Sequence, residues 1–590
     1  MTTTNKNISI IIEEIGEMLE IIGNPKDQFR IIAYQNAARK IEMMGREITD
    51  IYSEDGIKGI NKIPGIGESI SEKIEEIIKT GKCKYYDDLM KKVPAPILSF
   101  TKIPGVGPHI AKDLYNSYHV KTINELKSSL SKDTSEKFFK AKTRENILKG
   151  IEALKNQSGR MLLSFAEPIA EEAISFLKSL KEVKQANSVG SLRRMKETIG
   201  DIDIVVSSSK PQSTINSFIE STFVERIISE GDTKTTIVHK KGPNVDLEVL
   251  PQDEYGSLLQ HFTGSKEHNI ALRTWAEKHG ISLSEHGIKI QKSKFKSQKD
   301  NSKLKIIKCE NEEKFYNALG MDWIPPELRE NNGEIEAAFK HKIPKLVELD
   351  DIKADLHIHS TWSEGEMTVF EIAKYVQELG YEYIAITDHT AGLGITHGLK
   401  ENDIKKYIDE INKIDLKFKI KNLKFSILSG VETNILANGN LDISDQTLSK
   451  LDVVIASIHS GFRESEEKIT ERLLKTIQNP NVDVIGHPSG RLLGSRPSLN
   501  INWKKIFLAA KKYNVAMEIN SHPQRLDLND ELCRIAKDMG VKMIINTDSH
   551  HLEHFQNMRY GVAVARRGWL TKNDVLNTLS LEEFKNRLKK

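Results

Sequence analysis

The sequence predicts a multidomain protein: an α-helical N-terminal region, an α+β middle with a thumb-like appendage, and a C-terminal (β/α)7 barrel. Three observations carry this. Residues 8–22 and 29–44 space their apolar side chains at helical intervals. Residues 200–206 and 245–250 alternate acidic and apolar positions, as a half-buried strand does. Beyond residue 353, seven short apolar runs carry a His or an acid at or near their ends, and helical-looking segments separate most of them. A chain of 590 residues fits roughly three to five domains.

Composition is that of an ordinary soluble chain, with 29% charged and 38% hydrophobic residues. The net charge is only +3, so any surface that binds nucleic acid must be local. Cys83, Cys309 and Cys533 form no pattern, which fits a reducing cytoplasm without a disulfide framework. No apolar run approaches the roughly 18 residues of a membrane span, and the N-terminus lacks a signal-like apolar segment. The expectation is a cytoplasmic, nucleoid-associated monomer with no membrane partner.

In the N-terminal region, Ile63-Pro64-Gly65-Ile66-Gly67 opens a helical stretch from Glu68 to Ile78, and Ile103-Pro104-Gly105-Val106-Gly107 opens another at Pro108. This is the helix-hairpin-helix signature. Its glycines let the backbone approach a phosphate, and the following helix offers free N–H groups. One copy alone also suits an ordinary helix–helix turn. Two copies upstream of a phosphate-handling core point to sequence-independent, salt-sensitive DNA binding through Gly65, Gly67, Gly105 and Gly107.

The middle is built on Ser188-Val189-Gly190-Ser191-Leu192-Arg193-Arg194, followed by Gly200-Asp201-Ile202-Asp203-Ile204. Asp201 and Asp203 share a strand face, while Ile202 and Ile204 turn to the core. Paired carboxylates on one face suit a cation, and oxygen-only ligands favour Mg²⁺ or Mn²⁺. The Gly190-Ser191 turn can hold phosphate, with arginines beside it. Val245-Asp246-Leu247-Glu248 reads as a further strand. If it lies alongside the first, Asp246 completes a trio suited to two-metal nucleotidyl transfer.

Downstream come Tyr255-Gly256-Ser257 and His261-Phe262-Thr263-Gly264-Ser265, then Asn269 and Arg273. With these motifs in order, the chain resembles the family X DNA polymerases. The resemblance implies a nucleotidyltransferase palm with Asp201, Asp203 and Asp246 as catalytic, metal-binding carboxylates. It implies Arg160, Gly190, Ser191 and Arg194 at the triphosphate, Phe262, Gly264, Ser265 and Asn269 at sugar and base, and Arg273 on the template side. Lys73 matches the Schiff-base lysine of the family's 5′-deoxyribose-phosphate lyase domain, although Ser69 replaces a second basic residue. His261 stands where relatives usually have Tyr, which leaves ribonucleotide discrimination open. Glu248 stands where many have Arg. Asp322-Trp323-Ile324-Pro325-Pro326 resembles the end of the thumb. Seven lysines between 292 and 308 face one acid, Asp300, and read as a solvated loop or a clamp on DNA.

Beyond residue 350 lie ten of the eighteen histidines. The polar residues at strand ends place a site on the C-terminal face of the barrel. Imidazole and carboxylate together suit Zn²⁺ or Mn²⁺, and nine candidates suggest two or three ions. This part resembles a PHP phosphoesterase domain. The resemblance assigns ligand roles to His357, His359, His389, Glu432, His459, His487, Asp548 and His550. Glu364, in Trp362-Ser363-Glu364-Gly365, takes the place of a usual Asp. Arg491 and Arg525 are candidate phosphate contacts.

The expected boundaries are 1–90 for the first helix-hairpin-helix region, 91–150 for the second, 151–332 for palm and thumb, 333–352 for a linker and 353–575 for the PHP domain. The implied function is DNA-directed DNA polymerisation on gapped or primed DNA with dNTPs, serving gap filling in base excision repair. The PHP domain adds 3′–5′ exonuclease or 3′-end phosphoesterase activity, and some relatives cut at abasic sites. The alternative is chiefly a DNA-end-processing hydrolase whose polymerase core grips gapped DNA.

Overall fold

The computed structural model describes residues 5–43, 48–63, 65–103, 106–132, 160–290, 306–392, 398–420 and 424–588, with a few isolated positions between 139 and 151. Gly105 and six of the seven lysines of the basic segment lie outside the described residues. The chain divides into two compact units, 1–158 with 492–498, and 159–491 with 499–590. No described helix is long and apolar enough to cross a membrane.

Residues 5–132 of the first unit carry helices and no strand among the described residues. Helix Asn5–Ile22 buries Ile8, Ile12 and Ile15 against Tyr34, Ala37 and Ile41 of Gln28–Met43, which confirms the helical spacing read from sequence. The two Pro-Gly-x-Gly turns are built alike. Ile66 N–H donates to Ile63 O, and Val106 N–H donates to Ile103 O. The four apolar residues are buried, while Gly67 and Gly107 stand at the N-caps of Glu68–Thr80 and Pro108–Tyr118. In each turn the buried apolar residues anchor the loop.

The second unit holds the palm and the barrel. The palm sheet contains β1 (Val183–Ser188), β2 (Ile202–Ser208), β3 (Val224–Glu230), β4 (Lys234–His239) and β5 (Asn244–Leu250), in the order β1-β2-β5-β4-β3. Only β2 and β5 run parallel. Helix Leu163–Ser179 covers this sheet with Ala166, Ile169, Ala173 and Leu177 buried. The thumb residues Phe315, Tyr316, Ile324 and Leu328 form a separate core. The stretch 333–352, expected as a linker, is folded onto that core. Helix Glu334–Phe339 buries Ile335 and Ala338, and Leu346 is buried with them.

The barrel comprises β6 (Ala354–Asp355), β7 (Tyr383–Ile386), β8 (Ser426–Asn434), β9 (Val453–Ser457), β10 (Val484–Ile485), β11 (Ala516–Asn520) and β12 (Met543–Asn546). All neighbours are parallel and follow chain order. An Ile358–Ser549 bridge joins the first and last strand ends. Its strands are buried on both faces, as the continuous apolar runs require. Palm and barrel are tied by Arg491 to Glu197 at 2.7 Å and by Arg559 and Tyr560 to Glu167 at 2.8 and 2.7 Å.

Candidate functional site

The palm site follows from strand register. Asp203 lies opposite Asp246 on the parallel pair β2–β5, so the two carboxylates neighbour each other, and Asp201 precedes them at the strand's start. Ile202 and Ile204 are buried. Gly190, at φ +61°, sits against Asp203. A Cβ there would lie 2.4 Å from Asp203 Oδ2, so only glycine lets the phosphate-type turn approach the acids. Burial, then Asp246 and Asp201, push the Asp203 carboxyl up to about 6. Negative charge is thus held at a cost that a cation would relieve. Thr236 donates to Asp246.

The two arginines after the turn divide their work. Arg193 donates to both oxygens of Glu312 at 2.8 Å, and Arg329 reaches the same carboxylate at 2.6 Å. Burial raises the Glu312 carboxyl, but Arg329 and Arg193 outweigh it and bring it to about 2. Arg193 therefore locks palm to thumb. Arg194 instead donates Nε–H to Glu330 at 3.0 Å and Nη1–H to Thr263 O at 2.6 Å. Gly264 packs beside it, since a Cβ there would lie 3.1 Å from Arg194 Nη1.

Ser191 opens the short helix Gly190–Arg193. Ser265 caps Lys266–Lys278 by accepting from His268 N–H. Asn269 donates to His261 O at 2.7 Å. Arg273 Nη2 lies 3.0 Å from His261 Nδ1. The Phe262 ring faces His261 at 4.9 Å and Lys234 Nζ at 5.7 Å. Arg160 is held to Thr198 Oγ1 at 3.0 Å, one strand end from Gly200. Glu248 does not join the acidic trio. It lies opposite Lys234 on β4, with Oε2 and Nζ 3.7 Å apart.

The barrel site gathers all nine predicted ligands. Three clusters within ion-binding distance emerge: His359, Glu364, His389 and His550; His357, His359 and Asp548; and His389, Glu432 and His459. Glu432 joins them, with His389 Nδ1 at 2.9 Å, His459 Nε2 at 3.3 Å and His357 Nε2 at 3.4 Å. His487 Nε2 approaches the same carboxylate at 2.9 Å. The donors fit metal ions. His357 Nε2, both ring nitrogens of His359 and Glu364 Oε2 are buried without a hydrogen-bond partner, an arrangement a folded chain keeps when a ligand satisfies it. Asp548 at φ +55° and His487 at φ +27° also hold backbone conformations costly for non-glycine residues.

Electrostatics agree. Burial opposes ionisation of Glu432 and Asp548, yet surrounding imidazoles hold both carboxyls well below the usual range. Burial, then His550 and His389, push His359 down to about 3. His357 and His389 are raised against burial by their carboxylate neighbours. His550 is raised as well, by Glu364 and Asp548.

Several residues have a supporting role that the sequence does not reveal. Glu518, fully buried, accepts from His357 Nδ1 at 2.7 Å, His487 N–H at 2.6 Å, and Asn546 and Asn520. It fixes the His357 tautomer with Nε2 free for an ion, the usual role of a carboxylate behind a metal-binding His. Asn434 does the same for His459 at 2.8 Å and is held by Asp442. Asp388 accepts from Ser360 and Ser363, shaping the turn that carries Glu364. Gly365 lets that turn close, since a Cβ would lie 2.3 Å from His359 O. Glu518→Gln should weaken metal affinity about 10- to 100-fold, read by titrating a chelated apoprotein and following metal content.

Arg525 faces the site, with Nε 3.6 Å from Asp548. Arg491 does not. Its guanidinium is consumed by Arg525 O, Leu526 O and Glu197, so it is a palm–barrel tie rather than a phosphate contact. In the first unit, Lys73 Nζ donates to Ser69 O at 2.8 Å and lies 4.9 Å from the Tyr85 ring centroid.

The comparisons with known proteins match this geometry. The helix-hairpin-helix domain model matches residues 3–83, the DNA polymerase beta thumb model 258–330, and the PHP domain model 355–522. The structure extends the barrel past that last match, to β12 and the ligands Asp548 and His550. A "Probable phosphatase" of Thermoanaerobacter sp. is 32% identical over 237 residues, 38% of this chain and 89% of its own. One of Vibrio campbellii is 29% identical over 250 residues, 40% of this chain and 91% of its own. The "DNA polymerase/3'-5' exonuclease PolX" of Bacillus subtilis is 34% identical over 589 residues, covering 99% of both chains. The chain thus belongs to the PolX family, in which a family X DNA polymerase core and a PHP domain share one polypeptide.

Proposed function

We propose that this chain extends primer 3′ ends across short gaps in DNA at the Asp201–Asp203–Asp246 site, and hydrolyses phosphoesters at DNA 3′ ends on the barrel's C-terminal face. The observation that carries it is the register of Asp203 beside Asp246 under the Gly190 turn, in the same chain as nine converging metal-type ligands. At the palm, Mg²⁺ or Mn²⁺ held by the three carboxylates would supply charge neutralisation and a more acidic 3′-hydroxyl. The chain's own part is to place Arg194, Ser191 and Arg160 for the triphosphate and Phe262, Gly264, Ser265 and Asn269 for the sugar and base. Arg273, held by His261 here, is placed to turn to the template.

At the barrel, two or three ions, Mn²⁺ or Zn²⁺, would supply Lewis acidity and a nucleophile from water. Glu432 would be a ligand among them, Glu518 and Asn434 hold the rings, and Arg525 would be near a bound phosphate. The two glycine turns of the first unit would grip DNA backbone through Gly65, Gly67 and Gly107. Gap filling in cytoplasmic DNA repair, by a monomer, is the role these parts fit. A lyase at Lys73 is the component with least support, since Ser69 stands where a second basic residue is usual. Borohydride trapping on a 5′-deoxyribose-phosphate end should give no adduct.

The test is a one-nucleotide gap with a 5′-labelled primer and Mn²⁺. The primer should grow by one nucleotide with dNTP and shorten without it. A wild-type chain that never extends contradicts the polymerase reading.

The raised Asp203 carboxyl gives a further prediction. Its folded value, about 6, lies above the ordinary 3.8. Its contribution to stability is therefore present below pH 3.8 and lost as pH rises through about 6. Above that, the carboxylate costs the metal-free fold about 3 kcal/mol. Asp203→Asn should melt a few degrees higher than wild type in chelator at pH 8, and the gap should narrow at pH 5.

A further inference from the structure

Arg567 ends helix Met558–Arg567, which belongs to the barrel half of the chain, yet its guanidinium reaches the phosphate-side loop of the palm. Nη1–H donates to the backbone carbonyl of Arg194 at 2.8 Å and to Glu330 Oε1 at 3.0 Å, and Nη2–H donates to Asp530 at 2.6 Å. That same Glu330 oxygen accepts from Arg194 Nε at 3.0 Å. One carboxylate oxygen therefore bridges two guanidiniums, one from each half. Thr263 O holds Arg194 Nη1, which leaves Nη2 for an anion. The neighbouring Arg566 pins the thumb end through Glu327 at 2.7 Å. The Arg567 side chain is 4% exposed and that of Glu330 19%, so solvent screens this bridge little.

We propose that Arg567 is a positioning residue for the nucleotide site, acting through Glu330 and the Arg194 backbone to set the Arg194 guanidinium for an incoming nucleoside triphosphate. The barrel half thereby completes the polymerase site, although its own ligands lie on the far chemistry. The physical reason is pre-organisation. Arg194 carries a flexible side chain whose ordering would otherwise be charged against nucleotide binding. The inference rests on the polymerase reading above.

The test is single-nucleotide addition by the full-length chain on gapped DNA, with dNTP varied. Arg567→Ala should raise KM for dNTP about tenfold and change kcat less than twofold, because the lost interaction serves ground-state and transition-state binding alike. Metal-dependent shortening of the primer without dNTP should be unchanged. In an Arg194→Gln background, Arg567→Ala should add less than a twofold change. Glu330→Gln, partly exposed and equal in size, should reproduce the KM effect if Arg567→Ala does not fold. An unchanged KM in both variants overturns the proposal while the polymerase reading stands. So does an equal effect with and without Arg194, or a parallel fall in hydrolysis, since either marks a merely structural role. Absence of extension by wild type overturns both.

Discussion

Asp203→Ala should abolish primer extension and leave hydrolytic shortening intact. Asp203 is half-buried. It lies between Asp246 across the parallel strands and the Gly190 turn, whose missing Cβ would otherwise strike it. Cation-assisted charge neutralisation supplies several kcal/mol to phosphoryl transfer, so losing the central ligand should cost roughly 10³- to 10⁵-fold in rate. The barrel ligands sit on other strands and share no hydrogen bond with Asp203 among the described residues, so hydrolysis should hold within about twofold, as for independent sites. The measurement is steady-state nucleotide addition on a one-nucleotide gap, with primer shortening assayed in the same preparation.

Glu432→Gln should do the reverse with an effect as large. Its two oxygens approach five imidazoles, His357, His359, His389, His459 and His487, within 2.9 to 3.6 Å. Gln keeps the volume and loses the charge that binds those rings and their ions together. Bound metal should fall, and shortening should drop about 10³-fold or more. In chelator, the variant should also melt lower, because His389 loses the first of its two carboxylate partners, and breaking a buried pair costs about 3–5 kcal/mol. Metal analysis beside the gel assay checks the first effect, and a melting curve the second. Extension should persist.

Much of this was legible because strands impose a period of two and barrels collect strand ends. Alternation placed Asp201 and Asp203 on one face. The strand-end positions of His357, His389, Glu432, His459 and Asp548 announced a common site before any coordinate. What could not be read were partners distant in sequence. Glu518 looks like one more strand-end acid, and only the fold shows its lone pairs spent on His357, His487 and two amides. Asn434 and Asp442 bear no ligand signature at all. Long arginine side chains were the hardest to place. Arg193 and Arg194 are adjacent, yet one locks the thumb and the other borders the nucleotide site, while Arg491 turned away from the phosphate site to tie the halves together. The stretch 333–352 looked like a linker from its length and Pro344, but Ile335, Ala338 and Leu346 bury it against the thumb.

The most direct measurement compares wild type, Asp203→Ala and His357→Ala on a 5′-labelled primer facing a one-nucleotide gap, with Mn²⁺, with and without dNTPs. Two chemically separate sites on one chain predict extension lost only in Asp203→Ala and shortening lost only in His357→Ala. Loss of both activities in either variant would contradict the two-site account, and shortening without extension in wild type would make the protein a hydrolase that uses its polymerase core to grip DNA.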